Sequence, residues 1–271
     1  MLAGKFAGRA AEGDAWIGSS GDYYVPSGEA LLHGISLEGV SAAMPGYSVP
    51  NALLSHAGAG TRLLVHALSL LAGAALVFAL GLLLHGAVCG GAAALLYAWV
   101  LPSHLSSDRW LYTLLVLAAA VALVARARAP TLWRSLVLGL CLGMSLLTLS
   151  PLFLFPPALA LYERLRPPQG WARQSAVIAL AAFLPLTLWA AMNWRTQHRL
   201  VLFEDGRADN NITIGALGFV STALGPAVVA EGVADGRRLL PWAAGEALRH
   251  PLRTLRACAL RLAYGASSQP L

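Results

Sequence analysis

Six apolar stretches between residues 62 and 194 constrain this chain more than any other feature, because none of them contains an Asp, Glu, Lys or Arg. Their bounds are Leu63 to Leu84, Ala87 to Leu101, Trp110 to Ala125, Ser135 to Thr148, Leu152 to Tyr162, and Ser175 to Trp194. A helix of roughly 20 apolar residues crosses the ~30 Å hydrocarbon core and satisfies its own backbone hydrogen bonds there. The pattern predicts an all-α, multi-pass transmembrane helical bundle.

The fourth and fifth stretches are short and are separated by Ser150-Pro151. Because proline cannot continue a helix, this dipeptide predicts a tight hairpin near one membrane face. The pair could form two spans or two partly re-entrant helices. We prefer the two-span interpretation.

The arginines of this region indicate an orientation, because they collect in only two of the loops between the stretches. One loop follows the third stretch and the other follows the fifth, and their arginines are Arg126, Arg128 and Arg134, then Arg164, Arg166 and Arg173. An excess of Lys and Arg in short loops marks the cytoplasmic side. Counting spans from these loops places residues 1–60, the loop at 102–109 and the chain from Arg195 onward on the external side.

The predicted external N-terminal segment lacks any apolar run long enough to export it. Met1 to Arg9 have neither the apolar length of a signal peptide nor that of a span. We therefore expect this chain to be part of a longer protein with at least one further helix at the N-terminus.

The composition excludes several classes of protein. The chain has 57% hydrophobic and 12% charged residues, and this composition excludes a soluble multidomain protein. The net charge of +6 suits an anionic lipid surface, and no basic patch interleaved with aromatic residues indicates nucleic acid. Three distant cysteines predict neither a disulfide framework nor a zinc site. The spans retain only His66 and His85 as ionisable groups, which disfavours an ion-coupled transporter.

The polar side chains that could take part in a reaction lie in the predicted external segments instead. The first segment has carboxylates at Asp14, Asp22, Glu29 and Glu38. Its residues 28–34 are predicted to form a short helix before Met44-Pro45-Gly46-Tyr47 turns the chain into the first span. A carboxylate held just outside the membrane could act as a general base on an acceptor hydroxyl or amine.

The order of residues in this segment resembles a known family. Asp22, Tyr23-Tyr24, Ala30-Leu31-Leu32-x-Gly34 and then Pro45-Gly46-Tyr47 before a span are similar to the first external loop of polyprenyl-phosphate-sugar glycosyltransferases. These are C-type membrane glycosyltransferases, related to the protein O-mannosyltransferases and the aminoarabinose transferases. The resemblance implies sugar transfer from a lipid-linked donor at the external face.

Further similarities follow in the same order along the chain. Ala92 to Asp108 is similar to the family's second external loop, and Gly139 to Pro151 is similar to its Gly- and Thr-containing span. Trp189-x-x-x-Asn193-x-Arg195 is similar to its Trp-Arg-Asn region, and Asn210-Asn211-Ile212-x-x-Gly215 is similar to its Asn-rich segment. Two departures concern arginines. Met44-Pro45-Gly46-Tyr47-Ser48 lacks the arginine of the first-loop motif, and Thr148-Leu149-Ser150-Pro151 lacks the arginine that ends the fourth span.

The resemblance assigns catalytic roles to two carboxylates. Asp22 corresponds to the first-loop carboxylate that would deprotonate or orient the acceptor, and its plain alternative is a solvated charge or a helix N-cap. Asp14 is the second choice for this role. Asp108 would position the acceptor or a divalent metal, although the sequence indicates no certain metal or cofactor. Its alternative role is an interfacial charge paired with Arg109.

Substrate contacts are predicted for three tyrosines of the first loop, Tyr23, Tyr24 and Tyr47, and for external arginines. The departing phosphate of the donor needs a cation, and a guanidinium can hold two phosphate oxygens at once. The candidates are Arg195, Arg249 and Arg253, with Arg199 and Arg256 as further possibilities. The arginines of the tail also suit a simpler role, because residues 248–271 combine them with an apolar stripe and predict a basic amphipathic interfacial helix leading to a missing span.

The sequence thus predicts four regions: an external loop with short helices (1–61), a transmembrane bundle (62–194), an external loop (195–247) and the interfacial helix (248–271). The predicted function is transfer of a sugar from a polyprenyl-phosphate donor to a lipid, glycan or protein acceptor at the external face of the inner (plasma) membrane. The alternatives are a non-catalytic membrane protein, either a transferase remnant or a scaffold subunit, and a lipid-linked glycan transporter. The bilayer is an expected partner and nucleic acid is not.

Overall fold

The computed structural model describes residues 21–34, 43–100, 110–166, 170–198, 200–203 and 239–266. Within these ranges the chain forms helices and no strand, which confirms the all-α prediction. It divides into two compact units, Met1–Phe203 and Glu204–Leu271. The four predicted regions stay predictions.

Eight of the described helices belong to the first unit. They are α1 (Gly21–Leu32), α2 (Pro45–Ser55), α3 (Ala59–His85), α4 (Ala87–Val100), α5 (Trp110–Arg128), α6 (Leu132–Leu146), α7 (Phe155–Leu165) and α8 (Trp171–Gln197). The second unit contains α9 (Leu239–Arg249) and α10 (Pro251–Ala266).

Each of the six apolar stretches coincides with one of the helices α3 to α8. Three of these are long and apolar enough to cross a membrane, at Ala59–His85, Trp110–Arg128 and Trp171–Thr196. Two shorter apolar helices occupy Ala87–Trp99 and Leu132–Leu146. The three long helices indicate a membrane protein.

Helix α7 is shorter than the two-span interpretation expects. Its 11 residues rise about 16 Å, against a hydrocarbon core of ~30 Å. On its N-terminal side Phe153 packs edge-on against Phe183, near the middle of α8, and turns occupy residues 147–154. The fifth stretch is therefore a half-length helix entered through irregular backbone, which is closer to the re-entrant alternative.

Close packing of α6 on α8 forms the centre of the bundle. A Cβ added at Gly139 would lie 2.6 Å from the Cβ of Ala181, and one added at Gly143 would lie 2.8 Å from the Ala181 carbonyl oxygen. Two glycines four residues apart thus let the backbones approach, as small residues do at membrane helix interfaces. The resemblance to a family motif at 139–151 coincides with this packing role. A buried apolar cluster surrounds the contact and comprises Ala119, Ala122, Leu138, Leu142, Ile178 and Ala182.

Helices α1 and α2, the N-terminal pair, pack on one end of the bundle. Tyr24 and Tyr47 lie in a cluster with Leu111 at the start of α5, whereas Met44 packs with Trp189 near the end of α8. The arginine loops lie at the other ends of α5 and α8. Because an α-helix rises 1.5 Å per residue, Leu111 and Arg126 are about 22 Å apart along α5. The N-terminal pair and the arginine loops therefore lie at opposite ends of the same helices.

Candidate functional site

The predicted base lies at the start of α1. Asp22 and Tyr23 belong to the first turn of this helix, for which the structure describes the backbone but not these side chains. A carboxylate in the first turn is favoured by the helix dipole, so this position suits the alternative structural role as well as the catalytic one. Asp108, Arg109 and Asp14 lie outside the described residues, so the predicted role of Asp108 and its alternative pairing with Arg109 stay predictions.

Two of the predicted substrate-binding tyrosines are buried in the protein interior. Tyr24 and Tyr47 are each 1% exposed, and their ring centroids lie 5.6 Å apart at an interplanar angle of 53°. They pack together with Leu111, Tyr112 and Leu149 of the bundle. Both rings are closed to solvent in this arrangement, and their predicted contact with a substrate stays a prediction. They attach the N-terminal pair to the bundle.

Arg195 is exposed in the last turn of α8, where a cation is also favoured by the helix dipole. The same helix end contains two buried residues of the predicted motif. Asn193 is 0% exposed and donates from Nδ2 to the carbonyl oxygen of Val201 at 3.1 Å, which folds the chain back after the helix. Trp189 is 5% exposed, and among the described residues its indole N–H has no hydrogen-bond partner. Both residues fix the end of α8 beside the N-terminal pair.

The other two predicted phosphate ligands belong to the second unit, which is described by itself. Arg249 is exposed, whereas Arg253 donates from Nη2 to a carboxylate oxygen of Glu246 at 2.7 Å. This hydrogen bond is the main reason that the pKa of the Glu246 carboxyl is lowered from its ordinary value, and the charges of His250 and the neighbouring arginines add to the effect. A phosphate at Arg253 would have to compete with Glu246.

The most elaborate polar arrangement in the described residues lies at the arginine end of the bundle. Five side chains, each less than 9% exposed, meet there and form what we call the polar cluster: Arg126, Ser135, Glu163, Gln174 and Ser175. They come from the end of α5, the start of α6, the end of α7 and the start of α8. The cluster therefore joins four helices at one level.

An ion pair forms the centre of the polar cluster. Arg126 donates from Nη1 to Glu163 and from Nε to the Ser135 hydroxyl at 2.8 Å. Ser175 donates to the second carboxylate oxygen of Glu163 at 2.6 Å, and the hydroxyl of Ser135 lies 3.3 Å from the side-chain oxygen of Gln174. The two charges neutralise one another and the hydroxyls add hydrogen bonds to each, while Nη2 of Arg126 has no hydrogen-bond partner among the described residues. Because it is closed to solvent, the arrangement suits a structural role better than a catalytic one.

Arg126, which the sequence placed in the loop after the third apolar stretch, lies in the last turn of α5 and is 4% exposed. A usable signal was present, because Arg126 and Glu163 each directly follow an apolar stretch and Ser135 and Ser175 each begin one. Because α5 and α7 are separated by one antiparallel helix, they run in the same direction, and the border positions at their ends are a sequence signal for a charge pair.

Arg134 also has structural partners, because its guanidinium donates to the carbonyl oxygens of Ala125 at 2.6 Å and Ala129 at 3.2 Å. It thereby satisfies carbonyl groups at the C-terminal end of α5. The remaining arginines of the two loops are exposed: Arg128, Arg164, Arg166 and Arg173. The loops thus keep most of their positive charge in contact with their surroundings.

Within the described ranges, no group of three or more His, Cys, Asp or Glu residues could hold a metal ion. A divalent metal near Asp108 stays a prediction, since that residue is not among those described.

Comparisons of the chain with models of protein families, with curated proteins and with solved structures found no match. The resemblance to lipid-linked sugar transferases therefore depends on the sequence motifs alone.

Proposed function

We propose that this chain is a multi-pass protein of the inner (plasma) membrane that transfers a sugar from a polyprenyl-phosphate donor to an acceptor at the external face. The observation that carries the proposal is the position of the N-terminal pair, at the bundle end opposite the arginine loops. If those loops are cytoplasmic, as their charge indicates, the N-terminal pair is external. Lipid-linked sugar donors present their phosphate at such a membrane face.

The positions of Asp22 and Arg195 support the same proposal. Asp22 lies two residues before Tyr24, and the ring of Tyr24 is buried beside the start of α5. Arg195 lies six residues after Trp189, and Trp189 packs with Met44, the residue directly before α2. A candidate base and a candidate phosphate ligand are therefore carried on helices that meet at one end of the bundle.

The proposed reaction is a displacement at the anomeric carbon of the donor sugar. An acceptor oxygen or nitrogen forms the new bond to this carbon while the bond from the carbon to the phosphate oxygen breaks with inversion. Asp22 accepts the acceptor's proton, and polyprenyl phosphate leaves with the electron pair. Arg195 stabilises the negative charge that accumulates on this phosphate. The bilayer holds the donor at the site, which adds the advantage of proximity.

The decisive experiment measures transfer by the whole chain in proteoliposomes that contain a radiolabelled polyprenyl-phosphate sugar. Substitution Asp22→Asn removes the base and should lower transfer by about 10²–10⁴-fold. Glu29→Gln is the matched control, because Glu29 lies on the same helix and is exposed beside His56. Equal activity of the Asp22→Asn variant and the parent would remove Asp22 from the mechanism. The corresponding Asp108→Asn variant tests the second carboxylate.

A non-catalytic membrane protein is the second candidate, and two observations favour it. Tyr24 and Tyr47 are closed to solvent and pack against the bundle, and the polar cluster pairs its own charges within the bundle. Such a protein would be a transferase remnant or a scaffold subunit. Absence of transfer by the folded parent chain with any lipid-linked sugar would favour this candidate.

A further inference from the structure

In the part of the second unit that the structure describes, three leucines of α9 and α10 form an exposed apolar stripe. Leu248 at the end of α9 is 81% exposed, and on α10 Leu252 and Leu255 are 80% and 65% exposed. The spacing of three residues places Leu252 and Leu255 on neighbouring positions of the surface of α10, and Leu248 lies next to the junction of the two helices. Arginines adjoin each of them in sequence, and Arg249 and Arg256 are exposed. The surface is therefore both apolar and cationic.

The leucine stripe is held in position by contacts elsewhere on α10. Ala257 is 4% exposed, and Arg253 is joined to Glu246 of α9 by the hydrogen bond of 2.7 Å. The hydrogen bond joins the two helices through Arg253, and the exposed leucines lie outside this contact.

The charge of this surface identifies the kind of partner that fits it. Helix α10 contains arginines and no acidic residue, and Glu246, already paired with Arg253, is the single acidic residue of α9. Exposed leucines beside arginines match the interface of a bilayer, with the acyl boundary next to the apolar residues and lipid phosphates next to the cations. The same chain has three helices long enough to cross a membrane, so a bilayer surface is always within reach.

We propose that α10 and the end of α9 lie along the membrane surface and bind anionic phospholipids. The leucines enter the boundary between headgroups and acyl chains, and Arg249 and Arg256 contact lipid phosphates. The proposal does not depend on sugar transfer. It assigns these arginines to phospholipids of the surrounding bilayer and not to the glycosyl donor.

The native cysteine Cys258 gives a direct test, because it is exposed and follows Leu255 by three residues. The sequence has three cysteines, so Cys89→Ser and Cys141→Ser leave Cys258 as the single thiol of the whole chain. An environment-sensitive nitrobenzoxadiazole label on Cys258 is then measured in nanodiscs of phosphatidylcholine alone or of phosphatidylcholine mixed equally with phosphatidylglycerol. Fluorescence lifetimes separate docked from free helix.

We expect the label to be docked in the anionic nanodiscs, with emission at shorter wavelength and quenching by lipids brominated on their acyl chains. The docked-to-free ratio should fall in phosphatidylcholine alone and at high salt. Arg249→Gln with Arg256→Gln should lower the ratio in anionic nanodiscs about 30-fold, which corresponds to roughly 1 kcal/mol for each arginine. Arg253 is left unchanged so that its bond to Glu246 persists.

The matched control is Arg164→Gln with Arg166→Gln, which removes the same charge from exposed positions at the C-terminal end of α7 and should leave the ratio unchanged. The lipid dependence of the parent chain needs no arginine variant and tests the proposal even if a variant fails to fold. A label in an aqueous environment in both nanodiscs would overturn the proposal. An equal docked-to-free ratio in the two lipid compositions would also overturn it, because the leucines alone would then account for docking.

Discussion

Substitution of Glu163 by glutamine tests whether the polar cluster holds the bundle together. The change keeps the shape of the side chain but leaves the Arg126 guanidinium buried without its counter-charge. Both side chains are about nineteen-twentieths buried, at 5% and 6% exposure, so solvent cannot compensate for the loss. Removing one partner of such a pair costs about 3–5 kcal/mol.

The assay is thermal unfolding of the purified chain in detergent, monitored by tryptophan fluorescence. For a chain of this size each kilocalorie per mole shifts the midpoint by about 2–4 °C, so we expect Glu163→Gln to lower it by about 6–20 °C. Glu29→Gln is the control, because it removes the same charge from the exposed pair with His56. Exposed pairs contribute about 0–1 kcal/mol, which limits the control to a shift of about 4 °C.

A third variant separates loss of charge pairing from loss of volume. Arg126→Met combined with Glu163→Met replaces both charges with apolar side chains, and such double replacements of buried pairs are often neutral or stabilising. We expect this variant to recover most of the stability that Glu163→Gln loses. If Glu163→Gln shifts the midpoint no further than Glu29→Gln, the polar cluster does not stabilise the bundle and the reasoning fails.

Three further predictions follow from the structure. Gly143→Leu should overpack the contact of α6 with α8 and cost at least about 1–3 kcal/mol in the same unfolding assay, whereas Gly91→Ala, with open space around its Cβ position, should be nearly neutral. The lowered pKa of Glu246 stabilises the contact of α9 with α10 above its ordinary value of 4.5, and this contribution should be lost as the pH falls through the lower folded-state pKa. The protection factors of the α9 amides, which compare each exchange rate with the intrinsic rate at the same pH, should therefore fall only below about that value, and constant protection down to complete protonation would contradict the assignment. In a chain without native cysteines, His56→Cys and Arg166→Cys should react with an impermeant maleimide from opposite sides of the membrane, and labelling from the same side would refute the proposed orientation.

The positions of the helices were predictable because they depend on local composition. An apolar stretch without charges cannot be left as exposed loop, and each such stretch forms a helix in the structure. The lengths of the helices were less predictable. Leu152 to Tyr162 has the composition of a span, but α7 begins only at Phe155, with prolines in its first turn, and Phe153 before it packs against Phe183, which is distant in sequence.

The candidate site was only partly predictable for a related reason. A tyrosine in a polar segment suits a binding surface and a buried contact equally well, and only the packing of Tyr24 against Tyr47 and the start of α5 decides between them. The charge of Arg126 indicated an orientation, but charge counting carries no information about partners. Its pairing with Glu163 requires knowing that α5 and α7 end at the same level.

The irregular turn between α6 and α7 has a consequence for synthesis. The backbone N–H of Gly46, at the start of α2, donates to the carbonyl oxygen of Leu147 at 2.8 Å. This hydrogen bond joins an early segment of the chain to a much later one. During synthesis, residue 46 leaves the ribosome long before residue 147 does. The first two helices can therefore reach their final position only after the sixth has been synthesised.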